Sequence, residues 1–194
     1  MAATEIMNFE HTPLPGSKWI RLLKFQPELE NGCISCRLDF FEPTTSPGYT
    51  ALSYAWGDAT PRHEIYINGR HRKVHENLWR FLRRCFESGF SGYLWTDLLC
   101  LDQANAPELA VQISRMADIY EGAEEVAIWL GDDPILEQEF QSRTYSVAAK
   151  LSYWKRVWII QEIAFARKLT IIYGSCEVGW DEFQIYLSMW VPQG

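Results

Sequence analysis

Several features that a chain of 194 residues often carries are missing here. No stretch approaches the roughly eighteen consecutive apolar residues of a membrane-spanning helix, and the N-terminal MAATEIMNFEHTPLPG lacks the basic-then-apolar layout of a secretory signal. A soluble, cytoplasmic protein is the expectation. Basic charge is scarce, since 18 Lys and Arg against 25 Asp and Glu leave a formal net charge of −7. The basic clusters are RHRK at 70–73, read as a solvated hairpin edge, and RR at 83–84. That is too little for a phosphate backbone, so no nucleic-acid partner is expected.

Motifs for several chemistries are absent as well. No G-x-G-x-x-G or G-x-x-x-x-G-K-[ST] supplies a phosphate loop, and no G-x-S-x-G supplies a nucleophile elbow. Five cysteines, an odd number without framework spacing, fit reduced thiols. Cys33 and Cys36 form one C-x-x-C, but no second pair or nearby His completes four ligands, so no metal is expected. His11, His63, His71 and His75 lie in the N-terminal tail or around the basic hairpin, away from the predicted strand ends. A Cys-His pair through Cys100 is therefore a weak nucleophile candidate.

What is present is globular: 47% hydrophobic residues, 14% aromatic, and nine Trp, enough for a thick core or an aromatic-lined cavity. Residues 1–16 read as a tail and 17–194 as a single domain. KWIRLLKF (18–25) and CISCRLDFF (33–41) flank Asn31-Gly32 and predict an antiparallel hairpin, as do EIYI and HRKV around Asn68-Gly69-Arg70. YTALSYAW (49–56) reads as a first central strand, and VAIWLG (126–131) and LTIIYG (169–174) as later ones. YLWTDLLCL (93–101) is read as a strand too.

Helices alternate with these strands. Asn77 is placed as the cap of a helix with Leu78, Phe81, Leu82, Cys85 and Phe86 on one face. Another starts at Pro107 with Leu109, Ile113, Met116 and Tyr120 inward, Arg156–Arg167 is a third, and Trp180–Trp190 closes the chain. Residues 135–155 are polar and weakly helical. Strand-helix alternation predicts an α/β fold with a mostly parallel central sheet flanked by helices, to which the N-terminal β-hairpins are additions. Ligands of such sheets bind beyond the carboxyl ends of the strands, here Trp56-Gly57-Asp58, Asp97 through Gln103, Gly131-Asp132-Asp133 and Gly174-Ser175.

Two carboxylates stand out. Glu162 lies in RVWIIQEIAFARKL with Trp158, Ile159, Phe165 and Ala166 at the helical spacings of three and four, so no local cation answers it. Trp158, Gln161, Glu162 and Phe165 share a face that suits a pocket wall; pairing with a distant Arg that pins the helix is the other reading. Asp97 interrupts a predicted strand, either capping a neighbouring loop or facing a cleft with Glu162. Two separated acids in one cleft can split a glycosidic bond, one steadying oxocarbenium charge.

YTALSYAWGD (49–58), LWTDLLCLDQAN (94–105) and RVWIIQEIAFARKLTIIYG (156–174) resemble, in order and spacing, three signature blocks of the fungal heterokaryon-incompatibility (HET) domain family. KWIRLLKF, VHENLWRFLRRC and ISRMADIYEGAEEVAIWLG are similar to the linking pieces, and the likeness covers about residues 17–185. The resemblance implies a cytosolic cell-death effector of non-self recognition, distantly like Toll/interleukin-1 receptor (TIR) domains, with a TIR- or flavodoxin-like three-layer fold. In place of the family's usual acidic residue and Glu-Arg pair after the second block stand Asn105 and Glu108-Leu109, so that Arg is missing.

Some TIR domains cleave NAD with a glutamate and others act only as adaptors, and both readings carry over as implications. As a glycohydrolase of NAD or NADP needing no further cofactor, the chain would use Glu162 to stabilise charge and Asp97 to position Gln161 or a ribose hydroxyl. Trp56 and Trp158 would stack on a ring, the backbone near Gly57, Asp58, Asp102 and Gln103 would contact phosphate, and Arg156 would offset the acidic surroundings. As an interaction module it would associate with itself or with other signalling domains, Glu162 and Asp97 serving as buried network members. A nucleotide that only biases assembly is a third reading.

Overall fold

The computed structural model describes residues 7–58, 60–143, 145, 148 and 151–190. In chain order the elements are β1 (Ile20–Phe25), β2 (Ser35–Phe41), β3 (Tyr49–Tyr54), β4 (His63–Ile67), β5 (Arg70–Val74), α1 (Glu76–Glu87), β6 (Tyr93–Trp95), α2 (Asp97–Cys100) and α3 (Ala106–Ser114). Then follow α4 (Met116–Gly122), β7 (Glu125–Trp129), α5 (Pro134–Gln141), α6 (Ile159–Ala164), β8 (Leu169–Tyr173), β9 (Cys176–Gly179) and α7 (Trp180–Trp190), with a 3-10 turn over Ser152–Lys155. The chain divides into two compact units, Met1–Tyr49 with Trp56–Ser114 and Thr50–Ala55 with Arg115–Gly194.

In the first unit, Asn31 and Gly32 sit at φ 51° and 79°, and Asn68 and Gly69 at 51° and 72°. Both residues of each pair need positive φ to match the right-handed twist of the strands they join. The consequence is antiparallel pairing of β1 with β2 and of β4 with β5. β1 also pairs antiparallel with β6, and β2 pairs parallel with β4. These hairpins are not additions to a parallel sheet: they make up most of this unit's sheet, and tight turns dictate its antiparallel character.

Burial of Ile20, Leu22 and Leu23 on β1, Ile65 and Ile67 on β4, and Leu78, Phe81 and Leu82 on α1 supplies the core. Residues 7–14, expected as tail, pack along this unit. Phe9 donates its N–H to the His71 carbonyl, and the His11 ring contacts the Leu99 carbonyl at 2.8 Å.

Three expectations for this unit are corrected. Helix α1 begins at Glu76 with His75, not Asn77, in the cap position. Strand β6 ends at Trp95, and Asp97 opens the short helix α2 instead of lying mid-strand. Helix α3 ends at Ser114, and Arg115 at φ −109° and ψ 9° separates it from α4. On α3 it is Gln112 that is buried, donating to the Ser17 and Trp19 carbonyls at 3.4 and 3.1 Å, while Ile113 is exposed.

The second unit carries the parallel character. β3 pairs parallel with β7, and β7 with β8, while β9, absent from the sequence-based expectation, adds antiparallel to β8. Among the described residues, parallel pairing thus joins β3, β7 and β8 here and β2 with β4 in the first unit, all strands separated by longer connections rather than by two-residue turns, and the mostly parallel sheet expected from the sequence is not found. Phe140, Tyr145, Tyr153, Tyr173 and Phe183 form an aromatic core with Ile128, Ile159 and Ile171.

In the polar stretch 135–155, residues 144, 146, 147, 149 and 150 lie outside the described residues, as do 1–6 of the tail. Helix α5 is capped by Asp133, whose carboxylate accepts from the Ile135 and Leu136 N–H groups at 2.9 and 3.4 Å. Asp133→Ala is expected to lower stability by about 1 kcal/mol. The check is a lower urea midpoint at unchanged slope.

Candidate functional site

Helix α6 spans six residues rather than the twelve expected, and that shortening decides where Glu162 points. Ile159 and Glu162 turn inward, while Trp158, Gln161 and Phe165 are exposed. The expected mixed face of Trp158, Gln161, Glu162 and Phe165 is therefore split, because the stripe that must be buried runs through Ile159 and Glu162.

Glu162 is 1% exposed. Arg156 donates to it from Nη2 at 3.1 Å and from Nη1 at 3.4 Å. The Ser53 hydroxyl on β3 donates to the same carboxylate, so Ser53 Oγ must accept from the Tyr153 hydroxyl. Burial raises the Tyr153 phenol above its ordinary value of 10, the neighbouring Glu162 charge raising it further. The result is a closed relay from Tyr153 through Ser53 to Glu162, completed by Arg156 over the Tyr153 ring at 5.4 Å. Arg156 lies before the helix begins, as the extended residue after the 3-10 turn, so helical spacing could not reveal it.

Other candidates gather in the first unit. The Trp56 indole donates to Asp97 Oδ2 at 2.9 Å and stacks on the His75 ring at 6.1 Å. Gln103 donates to the Asp97 carbonyl at 3.1 Å, and the Leu98 N–H donates to Asp97 Oδ1 at 2.7 Å. Gly57 holds a positive φ of 77° after Trp56. Asp58 pairs with Arg62 at 2.8 Å and its carbonyl bonds the His75 ring at 2.7 Å. Asp102 lies 3.7 Å from His11 and accepts from the Ala104 N–H. Trp56, Asp97 and Gln103 thus form one group, and Glu162 and Arg156 another.

A cleft of about 700 Å³ in the first unit is lined by Trp56, Leu98 and Gln103 together with His71, Arg72, Lys73 and His75. The basic hairpin, expected as a solvated edge, therefore forms part of a cavity wall. The run RHRK was the signal, but it gains a cavity only through the partners folded around it. Cys100 is buried, and burial pushes its thiol up to about 12, unsuited to a nucleophile. No cluster of three or more His, Cys, Asp or Glu that could hold a metal ion occurs among the described residues, and no described helix is long and apolar enough to cross a membrane.

Residue Glu108, where the sequence lacks the expected Glu-Arg pair, takes its cation from β1 instead. Arg21 holds it with Nη1 at 2.6 Å and Nη2 at 3.1 Å, and also donates to the Cys100 and Thr12 carbonyls.

Residues 49–148 match the family described as "Heterokaryon incompatibility protein (HET)". The chain belongs to the heterokaryon incompatibility (HET) family. A curated HET relative, "Heterokaryon incompatibility protein 6, OR allele" of Neurospora crassa, is 33% identical over 129 residues, 59% of this chain and 19% of that protein. The chain thus spans about a fifth of that relative's length. No solved structure matches it significantly. The HET match contains Trp56, Asp97, Asp102 and Gln103 and ends before Arg156 and Glu162.

Proposed function

We propose that this chain is the death-triggering domain of a fungal heterokaryon-incompatibility protein and that it signals by associating with further copies of itself. The HET family match and the name of the Neurospora relative support the incompatibility role. The observation that carries the associative mechanism is the outer surface around α6. Val157, Trp158, Ile160 and Phe165 are 78%, 50%, 69% and 43% exposed, although the inner face of the same short segment is pinned by the Glu162 relay. Clustered exposed apolar side chains mark association surfaces in soluble proteins. The parallel trio β3, β7 and β8 is the part of the fold that fits a TIR-like signalling module.

Purified protein should gain mass with concentration in light scattering, and its expression should kill fungal cells. Ile160→Glu should abolish both while leaving the melting temperature within about 2 °C, since its side chain is largely exposed. Killing by a strictly monomeric protein would refute the mechanism.

Cleavage of NAD or NADP is the second reading, and one observation favours it. The cation on Glu162 belongs to Arg156, whose side chain is 23% exposed, so movement of one residue would uncover the carboxylate beside the exposed Trp158 and Gln161. The enclosed relay supports the first reading over this one. Nicotinamide release by the purified protein, lost in Glu162→Gln, would reverse that order.

A further inference from the structure

The cleft in the first unit has a chemistry opposite to the chain as a whole. The formal net charge is −7, yet among the described residues no Asp or Glu lines this cavity, whose charged and titratable lining is His71, Arg72, Lys73 and His75. A volume of about 700 Å³ lies within the usual range of small-ligand sites.

Arg72 is the unexplained group in this wall. Its Nε is buried without a hydrogen-bond partner, and its guanidinium makes no hydrogen bond or ion pair among the described residues. Burial pulls it below its ordinary value, the Asp102 charge opposing the shift. A desolvated cation with an unanswered donor is costly to the native state unless an acceptor arrives, and a phosphate oxygen is a matched acceptor for a guanidinium. Lys73, next on the same strand, is likewise unpaired among the described residues and is exposed.

Trp56 supplies a surface of another kind. Its indole is held at Nε1 by Asp97 and backed by the His75 ring, and the residue remains 40% exposed. A fixed, partly open aromatic plane is a stacking platform for a planar base, because every base has a π-face. Phe9 and Leu98, each 7% exposed, are apolar residues at the same cleft.

We infer that this cleft binds a nucleoside diphosphate, its phosphates on Arg72 and Lys73 and its base on Trp56. The site uses residues of the first unit alone, so it is independent of whether Glu162 performs chemistry or whether α6 mediates assembly.

Calorimetric titration of the full chain with ADP tests the inference, with pyrophosphate, adenosine and a single-stranded oligonucleotide as separate arms. ADP should bind saturably, and pyrophosphate and adenosine each at least about tenfold more weakly, since each keeps one half of the contacts. Lys73→Ala and Arg72→Met should each weaken ADP about tenfold, whereas Trp56→Phe should retain binding and Trp56→Ala lose it. Lys73 is exposed, so its variant keeps the test valid even where Arg72→Met fails to fold; circular dichroism reports the fold of each. Absence of saturation at millimolar ADP, unchanged affinity in Lys73→Ala, or pyrophosphate binding as tightly as ADP would overturn the inference. Tighter binding of the oligonucleotide than of ADP would do the same.

Discussion

Replacing Glu162 with alanine is expected to lower the unfolding free energy by about 3–5 kcal/mol, the range for removing one partner of a buried charge pair. The residue is 1% exposed, and its loss strands the Ser53 hydroxyl and both terminal nitrogens of Arg156. Glu162→Gln keeps an acceptor for Ser53 but removes the charge that faces Arg156, so its cost should be smaller. Replacing Glu162 and Arg156 together by Leu and Met should recover much of the loss, because no unpaired charge then remains inside. Denaturant midpoints at constant slope measure the series. A cost below about 1 kcal/mol for Glu162→Ala would mean that the carboxylate does not pin α6. The cleavage reading would then gain.

Glu108→Ala is expected to cost a similar amount, about 3–5 kcal/mol, for the same physical reason. The Arg21 side chain is fully buried and the Glu108 side chain 12% exposed. Without the carboxylate, Arg21 keeps the Thr12 and Cys100 carbonyls but has no counter-charge, and its Nε already lacks a partner among the described residues. Acidification tests the same pair.

Burial by itself would raise the Glu108 carboxyl, but the Arg21 hydrogen bonds, the Leu14 N–H and the Arg21 charge outweigh it and hold the group below its ordinary 4.5. A depressed native value means that the unfolded chain takes up the proton first, so this contribution is complete above about pH 4.5 and fades as pH falls through the native value. The wild-type protein should therefore lose stability on acidification below about pH 4.5, and Glu108→Gln, which cannot titrate, should lose less over the same range. Identical pH dependence in the two proteins would contradict the assignment.

Much of the local structure was legible from short segments. Asn31-Gly32 and Asn68-Gly69 each specify a turn because they tolerate positive φ, and the hairpins followed at the expected places. The buried positions Leu78, Phe81, Leu82 and Cys85 of α1 were legible from helical periodicity. Segment ends were not. Tyr93 to Leu101 has the apolar content of a strand, yet it bends into α2 at Asp97, where the carboxylate accepts from the Leu98 N–H. Arg156 looked like part of a helix and is instead the extended residue that folds back on Glu162.

The candidate sites show the same division. Glu162 was legible as a carboxylate without a cation three or four residues away, and so were its two alternatives, a pocket or a distant cation. Arg156 meets it from six positions earlier, a separation that no regular helix uses for contact. The cleft required more, since its wall joins residues 8, 9, 56, 61, 71–73, 75, 98 and 103.

From its sequence alone, this chain has its turns, its amphipathic helix α1, its HET blocks and the oddity of Glu162. These depend on backbone preferences and periodicities that act within a few residues. The tertiary structure decided that Arg21 answers Glu108 across 87 positions, that Ser53 and Arg156 enclose Glu162, and that a basic hairpin and Trp56 line one cavity. Which distant partner meets a buried charge is settled by the packing of the elements that carry them, and that packing has no signature in any one segment.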